Sequence, residues 1–262
     1  MKTAIAIAAH PDDIEFMMAG TLLLLKQCGY EIHYMNLANG NVGSVEYNHD
    51  TIVKMRLNEA QQSAEILGAH FHPPFCNDIE IFYDEKTLRH VAAIIREVKP
   101  TIVLTHSPTD YMEDHTNTCR LAVTAAFARG MPNFRTTPAL PADTYDCTVY
   151  HALPHTLRDQ LRQPIIPGAF VNTTSVHAKK MEALRAHQSQ QHWLDVSQNL
   201  NSYLQTMEDL SLTVGSMSKQ FVHAEGWRRH LHVGFCAPDA DPLKDLGNDY
   251  LIDEAFERNL EK

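Results

Sequence analysis

The 262-residue sequence has no Cys-x-x-Cys pair, no basic stripe, no glycine-rich turn after its first apolar segment and no apolar run long enough to cross a bilayer. Its five cysteines, Cys28, Cys76, Cys119, Cys147 and Cys236, are scattered and odd in number, so neither a disulfide framework nor a thiolate zinc site is signalled. With 22 Lys and Arg against 32 Asp and Glu, the formal net charge of −10 argues against nonspecific binding to nucleic acid, which needs clustered cations to displace phosphate counterions. The run "MMAGTLLLLKQ" is too short for a membrane span, follows acidic residues and lacks the basic leader of a signal peptide, so the expectation is a cytoplasmic protein with no membrane partner. A dinucleotide-binding domain would carry Gly-x-Gly-x-x-Gly after the first strand, and this chain has His-Pro-Asp-Asp there. Neither an internal repeat nor a low-complexity tract is present.

What the chain does have is 44% hydrophobic and 21% charged residues, a balance that suits a globular α/β protein and argues against disorder. "KTAIAIAA" reads as a strand buried on both faces, "IEFMMAGTLLLLKQCG" as one helix with acids at its start, "YEIHYMNLANG" as a second strand and "TIVKMRLNEAQQSAEILG" as an amphipathic helix ending at Gly68. "AHFHPPF" is a short strand with its loop, "EKTLRHVAAIIREVKP" a helix, "TIVLTH" a β-branched strand and "HTNTCRLAVTAAFARG" another helix. This alternation predicts a three-layer Rossmann-like α/β fold, a mostly parallel sheet flanked by helices, with functional loops at the carboxyl ends of the strands. The proline-rich "MPNFRTTPALPADTYD" reads as a loop. The expected organisation is one domain over 1–262, in which 1–130 form the strand-helix core and 131–262 complete the sheet through "DCTVYHAL", "VHAKKMEALRAHQSQ" and "LNSYLQTMEDL" and add substrate-facing loops.

Two of those carboxyl-end loops carry chemistry. "AHPDDIE" places His10, Asp12 and Asp13 after the first strand, and "HSPTDYMEDHTNT" places Asp110, Asp114 and His115 after a later one. Imidazole and carboxylate are competent zinc ligands, and two from one turn plus a distant histidine would form a facial site with room for water. Pro11 fixes its own φ and biases His10 away from helix, which could aim His10 and Asp13 to one side and leave Asp12 free to accept a proton. An Asp-Asp pair before a helix is also an ordinary N-cap, and Asp110 and Asp114 could equally be capping the next helix.

Together, "AHPDDIE" and "THSPTDYMEDH" closely resemble the motifs of the PIG-L/LmbE-like family of zinc-dependent N-acetylglucosaminyl deacetylases. The resemblance extends more weakly through "RLNEAQQSAEILG", "NDIE", "KKMEALRAHQSQ" and "AEGW". It implies Zn2+, or another divalent metal, held by His10, Asp13 and His115, with Asp12 as general base. It further implies Arg56 and Asp78 as groups that recognise sugar hydroxyls or support the site. Asp110 and Asp114 would then orient the ligating imidazoles. The implied reaction is release of acetate from an N-acetylated amino sugar or glycoconjugate, a small-molecule substrate, by a chain whose composition permits a homo-oligomer.

One departure stands out. Many relatives have a histidine where this chain has Met112, and methionine can neither donate a proton nor hold an oxyanion. Tyr111, His187 and His223 are the candidates to replace it, with a different amide substrate or loss of catalysis as the alternatives. The pairs His70/His72 and His230/His232 read as surface residues, and "NGNVGSVEYNHD", with Gly40, Asn41 and Ser44, as a rim over the site or a plain loop. Gln190 and Trp193 could contact a ligand, although a solvated helix face explains them nearly as well.

Overall fold

The computed structural model describes residues 2–191 and 203–260, so Trp193 lies outside the described residues. In the first half, β1 (Thr3–Ala8), β2 (Glu31–Asn36), β3 (His70–His72), β4 (Ile102–Thr105) and β5 (Thr148–Ala152) alternate with helices α1 (Asp13–Met17), α2 (Ala19–Gln27), α3 (His49–Leu67), α4 (Glu85–Val98) and α5 (Glu113–Ala128). The second half adds β6 (Ala169–Asn172), α6 (His177–Leu184), α7 (Tyr203–Ser218), β7 (Ala224–Arg229), β8 (Tyr250–Ile252) and α8 (Glu254–Leu260). These strands form one eight-stranded sheet in the order β3-β2-β1-β4-β5-β7-β6-β8. The first five are parallel, and the later three pair antiparallel.

The alternation of β1 explains the layers. Ala4, Ala6 and Ala8 face one side, where α1, α2, α3, α6 and α7 contribute Ile14, Leu22, Ala64, Leu184 and Met207 to the core. Ile5 and Ile7 face the other, against Val91 and Ile95 of α4 and Leu121 and Ala125 of α5. Both faces are covered, which is why the strand reads as a continuous apolar run. The expected first helix is in fact two, broken at Met18 (φ −136°, ψ −23°). The break coincides with close packing at Gly20, where a Cβ would lie 2.4 Å from Thr173 and 2.9 Å from Glu225. The amphipathic α3 ends at Gly68 in the left-handed region (φ 68°), as its sequence anticipates.

A buried charge joins the two halves. Glu225 of β7 accepts from the backbone N–H groups of Gly20 and Thr21 (both 2.8 Å), from the Thr21 hydroxyl (2.7 Å) and from the Lys180 ammonium (2.8 Å). Arg96 and Arg129 fasten the proline-rich loop, donating to the carbonyls of Met131 (2.8 Å), Leu140 (2.9 Å) and Tyr145 (2.8 Å). No described helix is long and apolar enough to cross a membrane. The described cysteines are free thiols.

Removing one partner of a buried pair leaves an uncompensated charge. Glu225→Ala should therefore cost about 3–5 kcal/mol in urea unfolding, and Lys180→Met less, because Glu225 keeps three other donors.

Candidate metal centre

The chain runs from β1 to β2 and β3 on one side of β1 and places β4 on the other, so the switch point of the sheet lies between β1 and β4. His10 leaves β1 and His106 leaves β4 at that point. The Ala9 N–H donates to His106 Nε2 (2.9 Å), which makes that nitrogen an acceptor and puts the ring's proton on Nδ1. His106 stacks on His115 with centroids 4.1 Å apart and planes 8° apart.

Asp13 is the centre of the cluster. Its Oδ2 accepts the His10 backbone N–H at 2.7 Å and lies 3.4 Å from both His10 Nδ1 and His106 Nε2. Its Oδ1 lies 3.4 Å from His115 Nε2. Burial opposes the Asp13 charge, but His115, together with the hydrogen bond from His10, more than offsets it and holds the carboxyl well below its ordinary range.

The far nitrogens of the two imidazoles are tied to acids. His10 Nε2 meets Asp114 Oδ2 at 2.9 Å, and His115 Nδ1 meets Asp110 Oδ1 at 3.1 Å. Both acids also hold backbone: Asp110 accepts the Met112 N–H (3.1 Å) at the start of α5, and Asp114 accepts the Ile79 N–H (2.6 Å). Asp110 thus closes a turn ahead of α5 without capping it, since the N-cap is Met112 and no side chain caps the helix. Burial works against positive charge on the two rings, but their carboxylate neighbours outweigh it and raise His10 to about 9 and His115 to about 10. Two imidazoles and a carboxylate converging in a pocket that favours positive charge, each ring steadied by an acid, fit a divalent cation.

Asp12 does not cap α1. It occupies the N-cap position with φ 108° and ψ −24°, in the left-handed region, and its side chain makes no cap hydrogen bond. Its Oδ2 instead accepts from the Tyr203 hydroxyl at 2.7 Å, with the Arg56 guanidinium 3.9 Å away. Burial pushes its carboxyl up, Arg56 pulls it back, Asp13 raises it again and His187 and Tyr203 lower it, leaving a group that titrates at about 6. A non-glycine residue held in this conformation stores strain that the surrounding contacts must hold in place.

The remaining expected residues take supporting positions. Arg56 is buried and donates to the Pro11 carbonyl (2.5 Å), beneath Gly40 (φ 78°), where a Cβ would lie 2.3 Å from its Cδ. Asp78 accepts the Gly40 N–H (2.7 Å), and its own N–H donates to Asn41 (2.7 Å), so the rim loop after β2 is pinned to the loop after β3. Ser44 accepts the Tyr47 N–H (3.0 Å) within that loop. His187 is fully buried, 3.2 Å from Glu15, which also takes hydrogen bonds from Ser63 and Tyr34. His223 belongs to a separate cluster with His177 and Glu208.

Of the three candidates to replace the histidine missing at Met112, Tyr111 borders the metal cluster at its mouth. It is 43% exposed, edge-on to His115 with centroids 5.6 Å apart, and burial pushes its phenol up, so it stays an O–H donor. Sequence reading missed His106, Tyr203 and His155. His155 follows β5 and rests against Phe16 (4.9 Å). Burial holds it below its ordinary value, within electrostatic reach of Asp13, His115 and Asp110. Only His106 carried a signal, as the first residue after a predicted strand.

An open α/β sheet with a two-histidine, one-aspartate cluster at its switch point defines a Rossmann-like domain with a metal-type centre. Residues 5–127 match the model of the PIG-L family, described as GlcNAc-PI de-N-acetylase. The chain is 29% identical to diacetylchitobiose deacetylase of Thermococcus kodakarensis, over 87% of this chain and 83% of that protein. It is also 29% identical to 4-oxalmesaconate hydratase of Pseudomonas putida, over 86% of this chain and 88% of that one. The crystal structure of GalB, the 4-carboxy-2-hydroxymuconate hydratase from Pseudomonas putida, is similar with a TM-score of 0.73 at 26% identity, covering 87% of this chain and 96% of that chain. The N,N'-diacetylchitobiose deacetylase from Pyrococcus horikoshii shares the fold, with a TM-score of 0.74 at 21% identity over 92% of this chain and 88% of that chain.

Strain at Asp12 has a measurable consequence. Asp12→Gly should be about 1–2 kcal/mol more stable to urea than Asp12→Ala, because glycine adopts positive φ without a Cβ penalty.

Proposed function

We propose that the protein is a metal-dependent hydrolase that removes the acetyl group from an N-acetylated amino sugar or glycoconjugate. The observation that carries this reading is Asp12: a carboxyl turned away from capping, titrating at about 6, beside a two-histidine, one-aspartate ligand set. His10 through Nδ1, Asp13, and His115 through Nε2 would hold the cation, with zinc the ion best matched to this donor set. Bound there, it would polarise the amide carbonyl and make a water easier to deprotonate.

Asp12 accepts the proton of the attacking water, and the water oxygen adds to the acetyl carbon. The C–N bond then breaks as the proton passes to the leaving nitrogen, giving acetate and a free amine. A carboxyl near 6 suits both halves of this transfer, since it ionises below neutral pH yet remains basic enough to take a proton. Asp110 and Asp114 fix the imidazoles, and Arg56 holds the Pro11 carbonyl so that Asp12 stays in its strained conformation. Met112 cannot stabilise developing negative charge. Tyr111 and His155 are the donors placed to do so, and Tyr111, with Ile79 at 74% exposure, offers an apolar rim on which a sugar face can rest.

A second reading has a specific basis. A hydratase relative is as similar as a deacetylase relative, and water activated by the same base could add across a carbon-carbon double bond instead of an amide. The assay that separates them measures acetate release from N-acetylglucosamine oligomers alongside loss of ultraviolet absorbance by an unsaturated dicarboxylate, with zinc-loaded protein. Deacetylation is expected, with Asp12→Ala retaining zinc and losing about 10²–10⁴ in kcat. Hydration without acetate release would replace this reading with the second.

The pH profile tests the base independently. The acid limb of kcat/KM should lie at or below about 6, because positive charge at the site favours the carboxylate. Tyr203→Phe removes a hydrogen bond to the charged form, so the limb should move upward by about 0.5–1 unit.

A further inference from the structure

We propose that His177, Glu208 and His223 form a second divalent-metal site, of the zinc class, separate from the His10 centre. Three elements deliver these side chains: His177 opens α6, Glu208 lies in the middle of α7 and His223 precedes β7. Both imidazoles turn Nε2 toward one carboxylate, His177 at 2.5 Å from Oε2 and His223 at 2.9 Å from Oε1. The rings are stacked, with centroids 3.9 Å apart and planes 14° apart. Parallel rings presenting the same nitrogen to the same carboxylate bring three ligand atoms together, each within 4.8 Å of the others. Zn–N and Zn–O bonds of about 2.0–2.2 Å at tetrahedral angles set ligand atoms about 3.3 Å apart, so one ion takes all three once the His177 nitrogen and the carboxylate draw apart by somewhat under 1 Å.

The chemistry favours a cation at this point. Lys180, one turn along α6, is occupied by Glu225 and so does not neutralise Glu208. The backbone on both sides is already fixed: the Thr173 N–H donates to the His223 carbonyl (3.0 Å), and the His223 N–H donates to Thr174 (3.2 Å). The donors therefore need little ordering to bind. Glu208 is 29% exposed at its side chain and the histidines 11% and 15%, which leaves an open side for water as the fourth ligand.

The site would act as a clip. It ties α7 to α6 and to the start of β7, and α7 begins at Tyr203, whose hydroxyl holds Asp12. Filling it would restrain the helix on which the base depends without contributing an atom to the reaction.

The test is zinc per chain, measured by plasma mass spectrometry on zinc-saturated, desalted protein. Two equivalents are expected for wild type, one for the His177→Ala/His223→Ala double variant, one for Glu208→Gln and one for His10→Ala/His115→Ala. Glu208→Gln preserves shape while keeping a single acceptor oxygen, and circular dichroism on each variant confirms that loss of an equivalent is not loss of fold. Wild type with a single equivalent that only the His10/His115 substitutions remove would overturn the second site and leave the first intact. So would two equivalents retained by both the His177/His223 and Glu208 variants. Two equivalents in wild type, with loss confined to the His177, Glu208 and His223 substitutions, would support the second site and count against the first.

Discussion

The carboxylate of Asp13 is the point on which the site depends. It is a charge in a nearly dry place, and the His115 and His10 imidazoles and a backbone N–H supply what water would have given it. The attraction is reciprocal: the same carboxylate raises His10 and His115, so the cluster is held together by charges that would each be costly alone. The sheet makes this possible. Parallel β1 and β4, in register from Ala4↔Ile102 to Ile7↔Thr105, deliver His10 and His106 to neighbouring points on one edge, and α5 returns His115 to the same place.

Around that charge lies a second layer drawn from distant parts of the chain. Tyr203 comes from α7, Arg56 from α3 and His187 from beyond α6, and all three act on Asp12. Glu59 of α3 accepts from the Ser189 N–H (2.8 Å) and hydroxyl (2.6 Å), tying the segment that carries His187 to the helix that carries Arg56. Buried polar networks of this kind are favourable only when nearly every member is paired. The later half of the chain is therefore needed even though it supplies none of His10, Asp13 and His115: it closes the sheet, buries Glu225 and Lys180, and through His187 and Tyr203 lowers the proton affinity of Asp12.

Much of this was legible in the sequence where periodicity and motif coincide. β1 could be read from its unbroken apolar run, α3 from its period and Gly68, and the two converging loops from their acid-histidine clusters after strands. The break at Met18 could not, because it arises where Gly20 meets Thr173 and Glu225, residues about 150 and 200 positions away. Neither could Tyr203: a tyrosine in an apolar stretch looks like core, and only the three-dimensional path of α7 shows that its hydroxyl reaches Asp12. The N-cap reading of Asp12 was locally reasonable and was decided by its positive φ, a property that no local pattern at a non-glycine residue announces.

The central claim is that His10, Asp13 and His115 hold one cation beside Asp12. An anomalous difference map from a zinc-loaded crystal, collected at the zinc edge, tests it most directly. The expected result is a peak about 2.0–2.2 Å from His10 Nδ1, an Asp13 oxygen and His115 Nε2, with Asp12 facing but not ligating it. A peak between His106, Asp110 and His115, the other histidine-acid group at this edge of the sheet, or none near Asp13, would contradict it.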